Sequence, residues 1–206
     1  MEAGESKGRL LQLYAEYAYK PVREKPGGIF GMSKIFSVHF DNKSGCASDG
    51  KPTWLFSLPD KGYVANWSPI TFQVMDGINA DFLNNEIRCR LCSQRFRDAI
   101  VELKGPDDEI QWLPADVIYN GDTYEYFIMH FPNLPDTIDK AKSLYDFRGD
   151  VYIPTFQHWM PNGYRIFRHL PNGPMGWFID MKVKLEFKKR GFTGLAYDPG
   201  RVADAP

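Results

Sequence analysis

Hydrophobic and polar positions alternate with two different periods along this chain, and the middle of it is the easiest part to interpret. Phe96, Ala99, Ile100 and Leu103 recur at i, i+3, i+4 and i+7, the spacing of one buried helical face. Ser93 stands where a side-chain cap belongs and Gly105-Pro106 where a helix stops, so a helix is expected over Ser93 to Lys104. Downstream, Gln111-Trp112-Leu113-Pro114 leads into Asp116-Val117-Ile118-Tyr119, and Asn120-Gly121 separates this run from Asp122 to Phe131. Asn-Gly between two aromatic and β-branched runs predicts a two-residue hairpin turn, because both residues tolerate positive φ.

The first half is strand-rich and harder to register. Leu10 to Tyr19 carries both an alternating pattern and a helical stripe, and alternation favours strand. Ile35 to Phe40, Thr53 to Phe56 and Ile70 to Val74 lean toward strand by their aromatic and branched content. Near the end two signals conflict. Met181, Val183, Leu185 and Phe187 alternate with Lys182, Lys184 and Glu186 as in a strand. Yet Asp180 is a good N-cap, Lys188-Lys189-Arg190 suits the negative end of a helix dipole, and Gly191 sits at a C-cap position. The caps decide for a helix over Asp180 to Arg190, followed by a strand from Thr193 to Asp198.

Several of these segments form a series that resembles an immunity-protein family of bacterial polymorphic toxin systems, once catalogued as a domain of unknown function. The series is the Ser-capped helix with Arg97-Asp98-Ala99-Ile100, then Leu113-Pro114, the aromatic strand Tyr124 to His130, and Asp136-Thr137-Ile138-Asp139 followed by Ser143 and Tyr145. A second block is similar too: Ile166-Phe167-Arg168, Phe187-Lys188-Lys189, and Gly191 to Leu195 with Tyr197 and Pro199. Where the family carries Val-Ser before its second helix, this chain has Ile179-Asp180, an exchange that keeps the cap. The resemblance covers the last 115 to 125 residues, roughly, and leaves residues 1 to 80 aside. It implies a non-enzymatic protein that binds a cognate toxin in the cytoplasm of the producing cell, with no cofactor and no metal.

Composition changes that picture little. A chain of 206 residues, 43% hydrophobic, suffices for one domain, or for two closely packed lobes split near residue 90. The expected fold class is α+β, mostly antiparallel strands with a few helices on one side. Basic and acidic residues number 25 and 26, so no bulk attraction to nucleic acid or membrane is written into the molecule. The charge is unevenly placed: ten Asp or Glu lie between Pro106 and Asp150 against Lys140, Lys142 and Arg148, whereas Arg165 to Arg201 is basic. Either the surface is polarised or these charges are solvated and neutralise one another across the fold. No apolar run is long enough to span a membrane as a helix, and the acidic, polar start is unlike a secretory signal. A cytoplasmic location follows, and three cysteines, Cys46, Cys89 and Cys92, suit reduced thiols.

Motifs of catalysis are weak. Gly45 to Lys51 matches phosphate-loop spacing, but Pro52 replaces the required hydroxyl and removes an amide donor. Cys89-Arg90-Leu91-Cys92 is a lone Cys-x-x-Cys without further ligands near it, so two buried small residues are the simpler reading. The histidines 39, 130, 158 and 169 form no ligand pair at helical spacing. Asp136 and Asp139 suit the cap of a short helix through Lys140, Ala141 and Ser143.

What remains is surface chemistry. Trp67, Trp159, Tyr164 and Trp177 sit in loop-like settings, where rings either plug the core or anchor a partner. The expected partner contacts are Asp107, Asp108, Glu109, Trp112, Asp122, Glu125, His158, Trp159 and Tyr164. Acids in such numbers suit a basic toxin such as a nuclease. The alternative is a small hydrolase acting on carbohydrate or nucleic acid through the acidic 107–139 segment, with Asp122, Glu125 and His130 as acid-base groups. Alternation along the strand sets Glu125 and His130 on opposite faces, which works against it.

Overall fold

A computed structural model of the chain describes residues 35–41, 45–50, 58–87, 89–147, 149, 151–158, 163–169 and 176–203, all within one compact unit, Met32–Pro206. The strands expected over Leu10 to Tyr19 and Thr53 to Phe56 lie outside the described residues. Six strands close into a barrel: β2 (Cys46–Ser48), β3 (Ile70–Asp76), β4 (Phe82–Asn85), β5 (Leu91–Ser93), β6 (Gln111–Tyr119) and β7 (Asp122–His130). Around the barrel they run β2-β3-β6-β7-β5-β4. The β3–β6 and β2–β4 pairs are parallel and the other four antiparallel. Barrel strands thus come from both sides of residue 90.

The hairpin forms as its turn chemistry requires. Asn120 and Gly121 take φ of 53° and 88°, and pairing runs from Tyr119↔Asp122 to Gln111↔His130. On β6 the odd positions Leu113, Ala115 and Val117 point inward, and on β7 Tyr126 and Ile128 do, as the two-residue period demands. Five consecutive residues of β7, Tyr126 to His130, are nonetheless buried. The reason is that Phe127 and Met129 on the outer face are also covered: the Arg97 guanidinium lies 4.3 Å from the Phe127 ring centroid, and Met129 joins the next core layer.

That next layer holds two helices, α1 (Gln94–Leu103) and α2 (Met181–Lys189). Ser93 caps the first by accepting from the Phe96 amide at 3.3 Å, and Asp180 caps the second by accepting from the Val183 amide at 2.7 Å. The conflict at α2 is settled by burial: Val183 and Phe187 are enclosed while Leu185 is 56% exposed, the footprint of a helix and not of an alternating strand. Gly191 takes φ +64° just past the helix end. A bidentate Arg190–Glu102 pair at 2.8 and 2.9 Å ties the two helices together.

Beyond the helices lies a four-stranded antiparallel sheet in the order β11 (Ile166–Phe167), β12 (Trp177–Asp180), β1 (Ile35–Phe40) and β13 (Leu195–Pro199). Its two faces bury different residues. Phe36, Val38, Trp177 and Ile179 meet Phe96, Ile100, Val183 and Phe187 of the helices and Phe82 and Met129 of the barrel. Ile35, Phe167 and Phe178 meet Ile138 and Phe156 on the other side. Trp177, expected in a loop, is a fully buried strand residue: Gly176 precedes a strand whose two faces are both covered. Two small pairs complete the fold, β8 (Leu144–Tyr145) with β9 (Val151–Ile153), and β10 (Thr155–Phe156) with β14 (Arg201–Val202). The architecture is α+β, mostly strands with two helices among the described residues.

The short helix expected after Asp139 is a single turn. Asp139 Oδ1 accepts from the amides of Ala141 and Lys142 at 3.0 and 3.2 Å, and Ser143 Oγ donates back to the Asp139 carbonyl at 2.7 Å. These local bonds satisfy the backbone without a second helical turn. Among the described residues no helix is long and apolar enough to cross a membrane.

Candidate functional site

The turn that follows α1 is held by one buried carboxylate. Asp108, 4% exposed, accepts from the Gly105 amide at 2.6 Å, the Arg165 amide at 2.9 Å and the Ile166 amide at 2.8 Å. It thereby pins the turn to the start of β11. Close approach is possible because glycines stand on both sides: a Cβ on Gly105 would lie 3.0 Å from Arg165 Cγ, and one on Gly163 would lie 2.6 Å from Asp107 Oδ2. Burial pushes the Asp108 carboxyl up from its ordinary value, against the pull of the three amides. Asp108 is therefore unavailable as a partner contact. Its oxygens are committed to the backbone, and its place in a run of three acids gave no sign of that.

The same staple opens a shallow cleft of about 190 Å³, part of it open to solvent. Asp107, Glu109, Asn133 and Tyr164 stand around it, over Phe131 and Ile166. Asp107 is exposed, and Glu109 and Tyr164 are half-buried. Tyr63, 62% exposed, donates its hydroxyl to Glu109 from a segment that straps along β6. That strap is fixed by the Gln111 side chain: Gln111 Oε1 accepts from the Val64 amide at 2.8 Å while Gln111 Nε2 donates to the Val64 carbonyl at 2.9 Å. Trp67 Nε1 donates to the Pro114 carbonyl at 2.8 Å, and its ring packs on the barrel core. The Tyr63 phenol is raised chiefly by its bond to Glu109, and the Tyr164 phenol by burial and the acids Asp107, Asp108 and Glu109. Both stay protonated donors at neutral pH.

The expected contact residues do not form one site. Asp107, Asp108, Glu109 and Tyr164 meet in the cleft. Asp122 and Glu125 are exposed near the far end of the hairpin, and Asp122 pairs with Tyr119, eight residues along β6 from Gln111, which puts it about 26 Å away at 3.3 Å per residue. Trp112 is not a free anchor: its outward face packs half-buried on the helix layer, opposite Met129. His158 is exposed after β10 and does not line the cleft. Trp159 lies outside the described residues. Sequence reasoning missed Tyr63 and Asn133. The only signal for Tyr63 was its place after Gly62, which takes φ +87°.

The acid-base trio of the alternative reading is dispersed. Glu125 faces out beside Asp116, whereas His130 is 1% exposed with Nε2 donating to the Gly62 carbonyl at 2.8 Å. Burial lowers the His130 imidazole, and Arg168 and Arg90 lower it further. A Ser37–His39–Asp198 group on the four-stranded sheet has the right residue types for a relay. However, Ser37 Oγ (3.0 Å) and Asp198 Oδ2 (3.1 Å) both contact the same nitrogen, His39 Nε2. One nitrogen cannot take the serine proton while donating to the aspartate, so the group is not a triad. Cys89 and Cys92 are 3% and 0% exposed, and burial raises both thiols, which makes them inert packing residues. Among the described residues no three His, Cys, Asp or Glu groups are placed to hold a metal ion. No protein-family model matches this chain, and a search of curated proteins returns no match.

Proposed function

We propose that this protein is a non-enzymatic binder that neutralises a cognate bacterial toxin domain by forming a stoichiometric complex, and that the cleft between α1 and β11 is its contact surface. The observation that carries the reading is the convergence of Asp107, Glu109, Tyr63 and Tyr164, from three separate segments, on one open rim. The cleft is a shallow surface depression and not an enclosed small-molecule pocket. Its acidity suits surface contact with a basic partner, and two tyrosines beside the acids present apolar area and a hydroxyl at low entropic cost. Interface anchors of this kind dominate affinity, whereas scattered surface charges mainly steer encounter. The resemblance to an immunity-protein family names the partner class.

The test is co-expression with the toxin-like gene nearest its own, scored by survival and by co-purification. Rescue with a one-to-one complex supports the reading, and Tyr63→Ala with Glu109→Lys should then weaken binding about tenfold or more while leaving the thermal midpoint unchanged. Rescue that survives both substitutions but fails with Glu125→Lys moves the interface to the hairpin. With a demonstrably toxic partner, the absence of both rescue and complex overturns the reading.

A further inference from the structure

The strap along β6, residues 60–67, is exposed over most of its length and yet tied to the barrel at several points. Asp60, Lys61, Tyr63, Ala65 and Asn66 are exposed, and only Val64 and Trp67 pack on the barrel core. Polar anchors do most of the holding. The Gly62 amide donates to the Pro132 carbonyl at 2.7 Å, and the Gly62 carbonyl accepts from buried His130 Nε2 at 2.8 Å. Two residues on, the Gln111 side chain takes both main-chain groups of Val64, as a neighbouring strand would. The Trp67 indole reaches the Pro114 carbonyl. Between these anchors Gly62 and Asn66 take φ of 87° and 54°, the left-handed region that few residues other than glycine adopt. Tyr63 is thereby aimed at the cleft rim, where its hydroxyl donates to Glu109.

Fixing an exposed residue costs backbone entropy that burial does not return. A partner that meets a loop already ordered need not bear that entropy loss on binding. We propose that the strap is a preorganised recognition loop, the neutral half of the toxin-contact surface, and that Gln111 is the positioning residue that holds Tyr63 in place for it. The inference rests on the toxin-binding reading and deepens it. Asp60 and Lys61 are of opposite sign, so the strap itself adds no net charge. Asp107 and Glu109 attract a basic face of the toxin, while the Tyr63 ring beside them and the Asn66 amide further along the strap meet the neutral polar surface that borders that face. Gln111 suits its role because a primary amide carries a donor and an acceptor together. Alanine there has neither.

The experiment measures affinity for the toxin that co-purifies on co-expression, in wild type, Gln111→Ala, Tyr63→Ala and the double variant, with the fold of each checked by thermal unfolding. Gln111→Ala should weaken binding about fivefold, and Tyr63→Ala about tenfold. Because Gln111 acts through Tyr63, the double variant should match Tyr63→Ala to within about twofold. A product of the two effects, about fiftyfold, or an unchanged affinity in Gln111→Ala, overturns the positioning role; a merely structural glutamine would give no such coupling. Hydrogen exchange of wild type, free and in the complex, needs no substitution and decides the matter if Gln111→Ala fails to fold. In the free protein the bonded Gly62 and Val64 amides should exchange at least about tenfold more slowly than that of Ala65, and the complex should slow Tyr63, Ala65 and Asn66 as well. Fast exchange at Gly62 and Val64 overturns the preorganisation, and a complex that leaves the strap unchanged overturns the contact, while the toxin reading stands in both cases. Failure of wild type to form a complex with a demonstrably toxic partner overturns that reading and this inference together.

Discussion

The acids at 107–109 and those at 116–125 look alike in the sequence, yet the fold treats them oppositely. Around the cleft one carboxylate is buried and bound to three backbone amides, while its neighbours Asp107 and Glu109 reach the rim. On the hairpin Glu125 faces Asp116 directly across the strands, with Asp122 beyond them, and none of the three forms an ion pair among the described residues. The first group therefore contributes structure and a shaped surface. The second leaves like charges facing each other in water, at a small cost in stability. Carboxylate density carries no information about role; the donors that reach each oxygen do.

The comparison breaks most sharply at Asp108. Asp108→Ala removes the acceptor of three amides, two of them buried, and should cost about 3 kcal/mol. Asp107→Ala, one residue away and exposed, should stay within about 0.5 kcal/mol. Urea unfolding of the two variants checks both. Equal losses would mean that the turn is held by something other than the staple.

Asp81 extends the contrast to pH. It is 7% exposed and receives the Arg95 pair, the Ser93 hydroxyl at 2.8 Å, and the Thr193 amide and hydroxyl, both at 3.0 Å. Burial opposes its ionisation, but these partners outweigh that and hold the carboxyl below its ordinary value. A carboxyl lowered in the folded state adds stability that is present above its unfolded value and lost as pH falls through the folded one. Wild type should therefore weaken below about pH 4, and Asp81→Asn, already weaker at neutral pH, should show a flatter acid limb in urea midpoints. Asp108, raised by burial, contributes with the opposite sign, so its replacement should steepen that limb.

The smallest effect belongs to the hairpin. Glu125→Lys converts a facing pair of like charges into one of opposite charges and should stabilise the protein by about 0.5 kcal/mol. The thermal midpoint should rise by roughly 1 to 2 °C, and the gain should shrink with added salt. A loss instead would mean that Glu125 has a cationic neighbour in solution.

Local physics was sufficient for a definite set of elements. Capping and a 3.6-residue period specified α1, Asn-Gly specified the turn of β6 and β7, and the branched run Ile35 to Phe40 specified β1 to the residue. At α2 the caps prevailed over an alternating pattern, because N-cap and C-cap residues act within one turn of the chain. Burial of Trp177 was not legible, since it depends on Phe82, Phe96 and Phe187 arriving from distant segments.

By itself, then, the sequence determined where the chain turns, where helices begin and end, and which face of each element is apolar. Those properties are set by neighbours within a few residues. Only the tertiary structure decided that the strands close through parallel pairings between β3 and β6 and between β2 and β4, that Asp108 is structural while Glu109 meets Tyr63, and that Arg90 lies buried over the Phe131 ring. Each of these depends on which distant donor or charge comes within a few ångströms, a quantity that the local pattern of apolar and polar residues does not encode.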